Sequence, residues 1–220
     1  MEIFLYILSI AVVLIAQAVF SSTYRKYKRV KNAKGYTGFD VARTILDNKG
    51  YNDIMVLETT GVATDHYDPI HKVIRLSKEV YSGNSIASAS IAAHECGHVV
   101  QHKTKYAMMN VRSAIVPFAN FATRFGYIVI VIGFISSIFN IVMFGIILLC
   151  VILVFQLVTL PVEFDASRRA NEMLNEYQLI EKTDSKKIKS MLNAAALTYV
   201  ASLFSSMLQI LRLLLSANRR

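Results

Sequence analysis

A mainly helical, integral membrane protein is predicted by three observations. Apolar residues make up 54% of the 220-residue chain with no tryptophan, long apolar runs carry no charge, and the basic residues behind a net charge of +9 sit beside those runs. The positive charges are not interleaved with stacking aromatics on a polar domain, so nucleic acid is not an expected partner. The lipid bilayer is.

The elements follow in chain order. Ile3 to Phe20 is apolar apart from Ser9 and Gln17, about the length of one membrane span. Ala16-Gln17-Ala18 has the form of a signal-peptide cleavage site, but "ME" supplies no basic residue before the apolar run. Arg25, Lys26, Lys28, Arg29, Lys31 and Lys34 follow it, which points to a retained anchor whose C-terminal end is cytosolic.

Phe39 to Asn48 is expected as a short helix stopped by Gly50, Ile54 to Glu58 as a strand, and "KVIRLS" at Lys72 to Ser77 as a second strand after the turn-forming Asp65 to Pro69. Ser85 is a plausible N-cap for a helix running to about His102.

Phe125 to Val162 carries no charge and as one helix would measure about 57 Å, far more than a core of roughly 30 Å. A hairpin is expected, its first helix from near Ser113 past Pro117 and Arg124, its turn in "SSIFN", and its second helix over Ile141 to Leu160. Pro161 marks where that second helix ends or restarts. Arg168, Arg169 and the lysines from Lys182 to Lys189 place the exit in the cytosol. Ser190 to Leu211 is uncharged again, with Thr198, Ser202, Ser205 and Gln209 forming a polar stripe. That stripe fits either a bundle interior or a helix lying at the interface, the depth staying open. Spanning would put Arg212, Arg219 and Arg220 outside.

The expected organisation is an N-terminal anchor over residues 1–22, a cytosolic part over 23–112, a transmembrane hairpin over 113–161, a cytosolic segment over 162–190 and a C-terminal membrane-associated helix over 191–220. Cys96 and Cys150 read as free thiols, not a disulfide framework.

The chemistry concentrates in "IAAHECGHVVQH", residues 91–102. His94 and His98 stand one helical turn apart on one face, where two imidazoles can hold one metal ion. Glu95 is turned off that line and can act as general base toward water on the ion. His102 lies about 12 Å along the helix from His94, too far to share the ion. Cys96 lies about 200° around the helix and is expected in packing.

A third ligand must come from elsewhere, and the cytosolic re-entry of the hairpin is the place to look. Glu163 is the first carboxylate there, with Asp165 as the alternative. His66, between Asp65 and Asp68, is a candidate hydrogen-bond donor to the transition state, set against a plain turn with local caps. An exposed edge strand beside the motif helix would suit an extended peptide. Tyr199 is a further candidate for oxyanion stabilisation.

The chain resembles the YugP-type bacterial membrane zinc metallopeptidases over nearly its full length, on "ATDHYDP...KVIRLSKEVY", "SIASASIAAHECGHVVQ", "FQLVTLPVEFDASRRA" and "AAALTYVASLFSSMLQILRLL". It is more distantly similar to HtpX and the CAAX prenyl proteases, gluzincins that place HExxH before a membrane hairpin and a glutamate ligand after it. The resemblance implies a zincin-like helix, one Zn2+ held by His94, His98 and Glu163, and Glu95 in catalysis. In those proteins an aspartate four residues after the glutamate supports a histidine ligand. Here that position is Ser167, with Asp165 nearer.

The expected function is a membrane zinc metalloendopeptidase acting on peptide or protein substrates, multi-pass in a bacterial cell membrane with its active site on the cytoplasmic side. The rival readings are a non-catalytic zinc-binding scaffold, against which an intact Glu95 argues, and a small transporter, for which charges at mid-membrane depth are wanting. Substrate and oligomeric state are not legible.

Overall fold

The structure, a computed structural model, describes residues 1–61 and 63–217; Arg219 and Arg220 lie outside the described residues. Its chain order is α1 (Glu2–Lys28), α2 (Gly38–Asn48), β1 (Met55–Thr59), β2 (His66–Asp68), β3 (Val73–Ser77), α3 (Lys78–Tyr81), α4 (Ile86–Lys103), α5 (Ala107–Ser136), α6 (Phe139–Glu176) and α7 (Lys182–Ala217). Four of these helices, α1, α5, α6 and α7, are long and apolar enough to cross a membrane. The protein is mainly α, with one small sheet.

The chain forms two compact units. One comprises Met1–Ala18, Ala107–Val162 and the chain from Leu197 onward; the other comprises Val19–Tyr106 and Glu163–Ala196.

In the first unit, Ile130, Val142, Ile146, Leu149, Ile210 and Leu213 form the buried cluster, while Ile3, Phe118, Ile128 and Ile135 face outward. Lipid is the solvent that such outward faces require. The turn between α5 and α6 falls at Ser137 and Ile138, inside "SSIFN", with Ser137 at φ 56. The polar stripe of α7 is engaged within this unit. Ser202 donates to the Thr198 carbonyl at 2.9 Å, and Gln209 donates to Ser205 and accepts from the Tyr127 hydroxyl of α5. Both flanking helices are longer than expected, α5 starting at Ala107 and α7 at Lys182.

Pro161 neither ends nor restarts α6, which is α-helical on both sides of it. A proline removes one backbone hydrogen bond and crowds the preceding turn. Breaking the helix would strand several more peptide groups in apolar surroundings, a larger cost.

In the second unit α2 starts from a capping box, where Thr37 Oγ1 accepts from the Asp40 amide at 3.1 Å and Asp40 accepts from the Thr37 amide at 2.9 Å. It ends before Gly50, at φ 73. Its apolar stripe, Val41, Ala42, Ile45 and Leu46, is buried with Ile74 and Leu76 of β3 and Ala89, Ala92, Ala93 and Cys96 of α4. Cys96 is thus a core residue, and burial pushes its thiol pKa up, so it stays protonated.

The sheet order is β1-β3-β2, β1 running parallel to β3 and β2 antiparallel to it. One expectation is corrected here. Asp65 to Pro69 is not one turn, because His66–Asp68 pairs with Val73, Ile74 and Arg75 as strand β2. The turn is Pro69 to Lys72, where Asp68 Oδ1 accepts from the amides of Ile70 and His71. Asp65 fastens the other end of β2 by accepting from the amide and hydroxyl of Ser77. The pairing of β2 puts "KVIRLS", β3, in the centre of the sheet and leaves β1 and β2 as its edges.

Candidate metal centre

Helix α4 starts at Ser85, whose hydroxyl accepts from the Ser88 amide at 3.0 Å. Its far end is tied to the strand region: the Tyr67 hydroxyl of β2 lies 3.0 Å from His102 Nδ1, and Lys103 donates to Asp53. His102 is thereby engaged away from the motif histidines. Between these fastenings the helix is buried nearly all round, which fixes the rotation of His94, Glu95 and His98.

Gly97, to which the histidine motif gives no role, sets how near α6 can come. A Cβ at this position would stand 2.5 Å from the Ala166 carbonyl oxygen and 3.0 Å from its Cα. Only hydrogen fits there, so the backbones of α4 and α6 are in direct contact. A signal for it existed: a glycine inside a helix, matched by the small residues Ala166 and Ala170 on the partner.

That approach delivers Glu163. Its Oε2 lies 3.2 Å from His94 Nε2 and 3.7 Å from His98 Nε2, and the two imidazole rings meet edge to face at 4.8 Å. One ligand atom from each of the three residues falls within 4.8 Å of the others. Glu163 is only 2% exposed. A carboxylate so buried needs cationic or donor partners, and among the described residues the two imidazoles meet it. Burial by itself would lower the His98 pKa, but the hydrogen bond with Glu163, with the Glu95 charge nearby, outweighs it and raises the value above the usual 6.5.

Two nitrogens and one carboxylate oxygen, converging from two helices, match the donor set of a three-ligand zinc site with a position left for water. Among the described residues no other group of three such side chains comes together. Glu95 is buried on the same helix, next to His94 in sequence.

The backs of both imidazoles are also met. His94 Nδ1 lies 3.2 Å from the Ser167 hydroxyl, and His98 Nδ1 lies 3.0 Å from Gln101 Oε1. Gln101 Nε2 donates to Asp165 Oδ2 at 3.0 Å. Asp165 thus stands apart from the Glu163 group, bound to Gln101, Arg168 and Arg169. Gln101 had no assigned part in the sequence; its spacing of three from His98 on one helix was the available signal.

Two candidates remain. His66 is exposed on β2, its Nδ1 2.7 Å from the Thr64 carbonyl of its own loop. Tyr199 is 39% exposed on α7 and belongs to the first unit.

Comparison with known proteins adds independent observations. The sequence profile of a family described as "putative neutral zinc metallopeptidase" matches residues 2–218. A protein of Bacillus subtilis (strain 168) named "putative membrane protease YugP" is 40% identical over 210 residues, covering 96% of this chain and 93% of the relative. No solved structure matches.

Proposed function

The chain belongs to the neutral zinc metallopeptidase family, and from that premise we propose that it is a membrane metalloendopeptidase in which His94, His98 and Glu163 hold one zinc ion and Glu95 is the general base. The observation that carries this reading is the convergence of three ligand atoms within 4.8 Å, one of them on a glutamate 69 residues from the first histidine.

When bound, zinc supplies Lewis acidity, polarising the scissile carbonyl and lowering the pKa of water. The chain's own residues do the rest. Glu95 takes a proton from the attacking water as its oxygen bonds to the carbonyl carbon, then passes that proton to the amine nitrogen as the C–N bond breaks. Glu163 and the two imidazoles set the position at which this happens. The buried wall of α4 around Glu95 keeps bulk water from competing for its proton.

The basic residues in the last turn of α1, Arg25, Lys26 and Lys28, support a cytoplasmic active site under the positive-inside bias. Membrane proteins and membrane-proximal segments are the substrates this placement favours.

The test is zinc content and cleavage of unfolded casein by the purified full-length protein, beside Glu95→Gln. The variant should keep its zinc and lose cleavage by about 10²–10⁴-fold. Full cleavage by Glu95→Gln would refute the assignment, and zinc in both forms with cleavage by neither would favour a scaffold.

A further inference from the structure

His98 can offer Nε2 to a metal ion only if the proton it retains sits on Nδ1. Behind Nδ1 stands Gln101, with no exposed surface, its Oε1 3.0 Å away and its Nε2 donating to Asp165 Oδ2 at 3.0 Å. A side-chain amide has one accepting and one donating end, so its direction follows the neighbour that cannot adapt.

Asp165 is that neighbour. Its Oδ1 also accepts from Arg168 and its Oδ2 from Arg169, so the carboxylate is met by donors on both oxygens. Arg169 is itself placed over the Tyr106 ring, 5.8 Å from its centroid. With Nε2 of Gln101 committed to the carboxylate, Oε1 is the end left for His98, and only an N–H at Nδ1 satisfies it. The Ser167 hydroxyl behind His94 can rotate to donate or accept, and so dictates nothing comparable.

We propose that Gln101 and Asp165 are positioning residues, a buried relay that fixes the tautomer and ring orientation of His98 so that Nε2 faces the zinc ion. Neither touches the ion, and the relay presupposes the zinc site proposed above. Reversing the amide would place a proton on Nε2 and take away one of the three donors.

The test is the zinc affinity of full-length protein in detergent, measured by chelator competition, with melting of the metal-free forms recorded alongside. Asp165→Asn, whose amide can present either end, should bind zinc 10–100-fold more weakly. The exchange Gln101→Glu with Asp165→Asn puts an acceptor back behind Nδ1 and a donor beyond it, and should recover most of that loss. If Asp165→Asn does not fold, Gln101→Leu should show the same 10–100-fold weakening.

A ¹⁵N spectrum of the imidazoles should show the His98 proton on Nδ1 in the wild type. Wild-type affinity in the folded single variant, a double variant no tighter than the single, or the proton on Nε2 would each overturn the relay. A wild-type chain that takes up no zinc would bring down the metallopeptidase reading itself, whereas tight zinc in wild type and variants alike would bring down only the relay.

Discussion

In the unit that carries the motif, Ile45, Leu46, Ile74 and Leu76 have no exposed surface, whereas in the apolar unit Ile3 is 76% and Ile135 80% exposed. The same residue types therefore serve opposite purposes. In the first case burial removes apolar surface from water, at roughly 25 cal/mol per Å². In the second, lipid covers the surface, and folding gains little from hiding it further. Polar groups are sorted the other way. The motif unit buries the Glu163 carboxylate against the imidazoles of His94 and His98, while the described polar stripe of α7 uses neutral hydroxyl and amide side chains. One sequence thus holds a core stabilised by water exclusion and a bundle stabilised by close packing.

The comparison breaks most visibly if equal truncations cost equal amounts. Ile74→Ala should destabilise the protein by about 2–5 kcal/mol, through lost transfer energy and a residual cavity. Ile128→Ala, on an outward face, should fall within about 0.5 kcal/mol of wild type. Thermal unfolding in detergent compares the two directly, and similar losses would mean that the apolar unit has a water-driven core after all.

Gly97→Ala sharpens the contrast inside the motif unit. The added methyl meets backbone of α6, not a flexible side chain, so the helices must separate, at about 1–3 kcal/mol. Since α6 brings Glu163, the same variant should lose zinc affinity as well as stability. Lost stability with intact zinc affinity would mean that the backbone contact does not place the glutamate.

A third expectation concerns pH. The His98 pKa lies above its unfolded value of about 6.5, so in metal-free protein the contribution of its pairing with Glu163 is complete below about 6.5 and is lost as pH rises through the folded pKa. Zinc requires the imidazole without its Nε2 proton, so affinity should rise with pH over that same window. Melting curves in chelator and zinc titrations at matched pH should therefore show opposite slopes. Parallel slopes would remove His98 from the ligand set. The smallest effect is expected for Ser167→Ala, which removes a rotatable hydroxyl behind His94 and should weaken zinc by no more than about tenfold.

How much of this was legible follows from where each signal resides. His94, Glu95 and His98 lie within one turn of one helix, so spacing alone places them together. Glu163 is distant in sequence, and only the argument that a membrane hairpin returns to its starting side, or the resemblance, points to it. The four apolar helices were legible from length and charge, but their ends were not. Charged turns such as Arg25 to Lys28 and Lys182 to Lys189 extend a helix without any hydrophobic mark.

Strand β2 was hidden because Asp and Pro suggest a turn while pairing with β3 is a tertiary fact. Gln101 and Gly97 were hidden for a similar reason: each acts through a partner on α6 that no local pattern names.

The central claim is that His94, His98 and Glu163 together hold one zinc ion, and metal content of the purified full-length protein tests it most directly. The wild type should carry one zinc per chain. Glu163→Ala should lose zinc affinity by about 10²–10⁴-fold, since one of three donors carries roughly a third of the ~10–16 kcal/mol typical of bound zinc. Full zinc occupancy and unchanged affinity in Glu163→Ala would contradict the account.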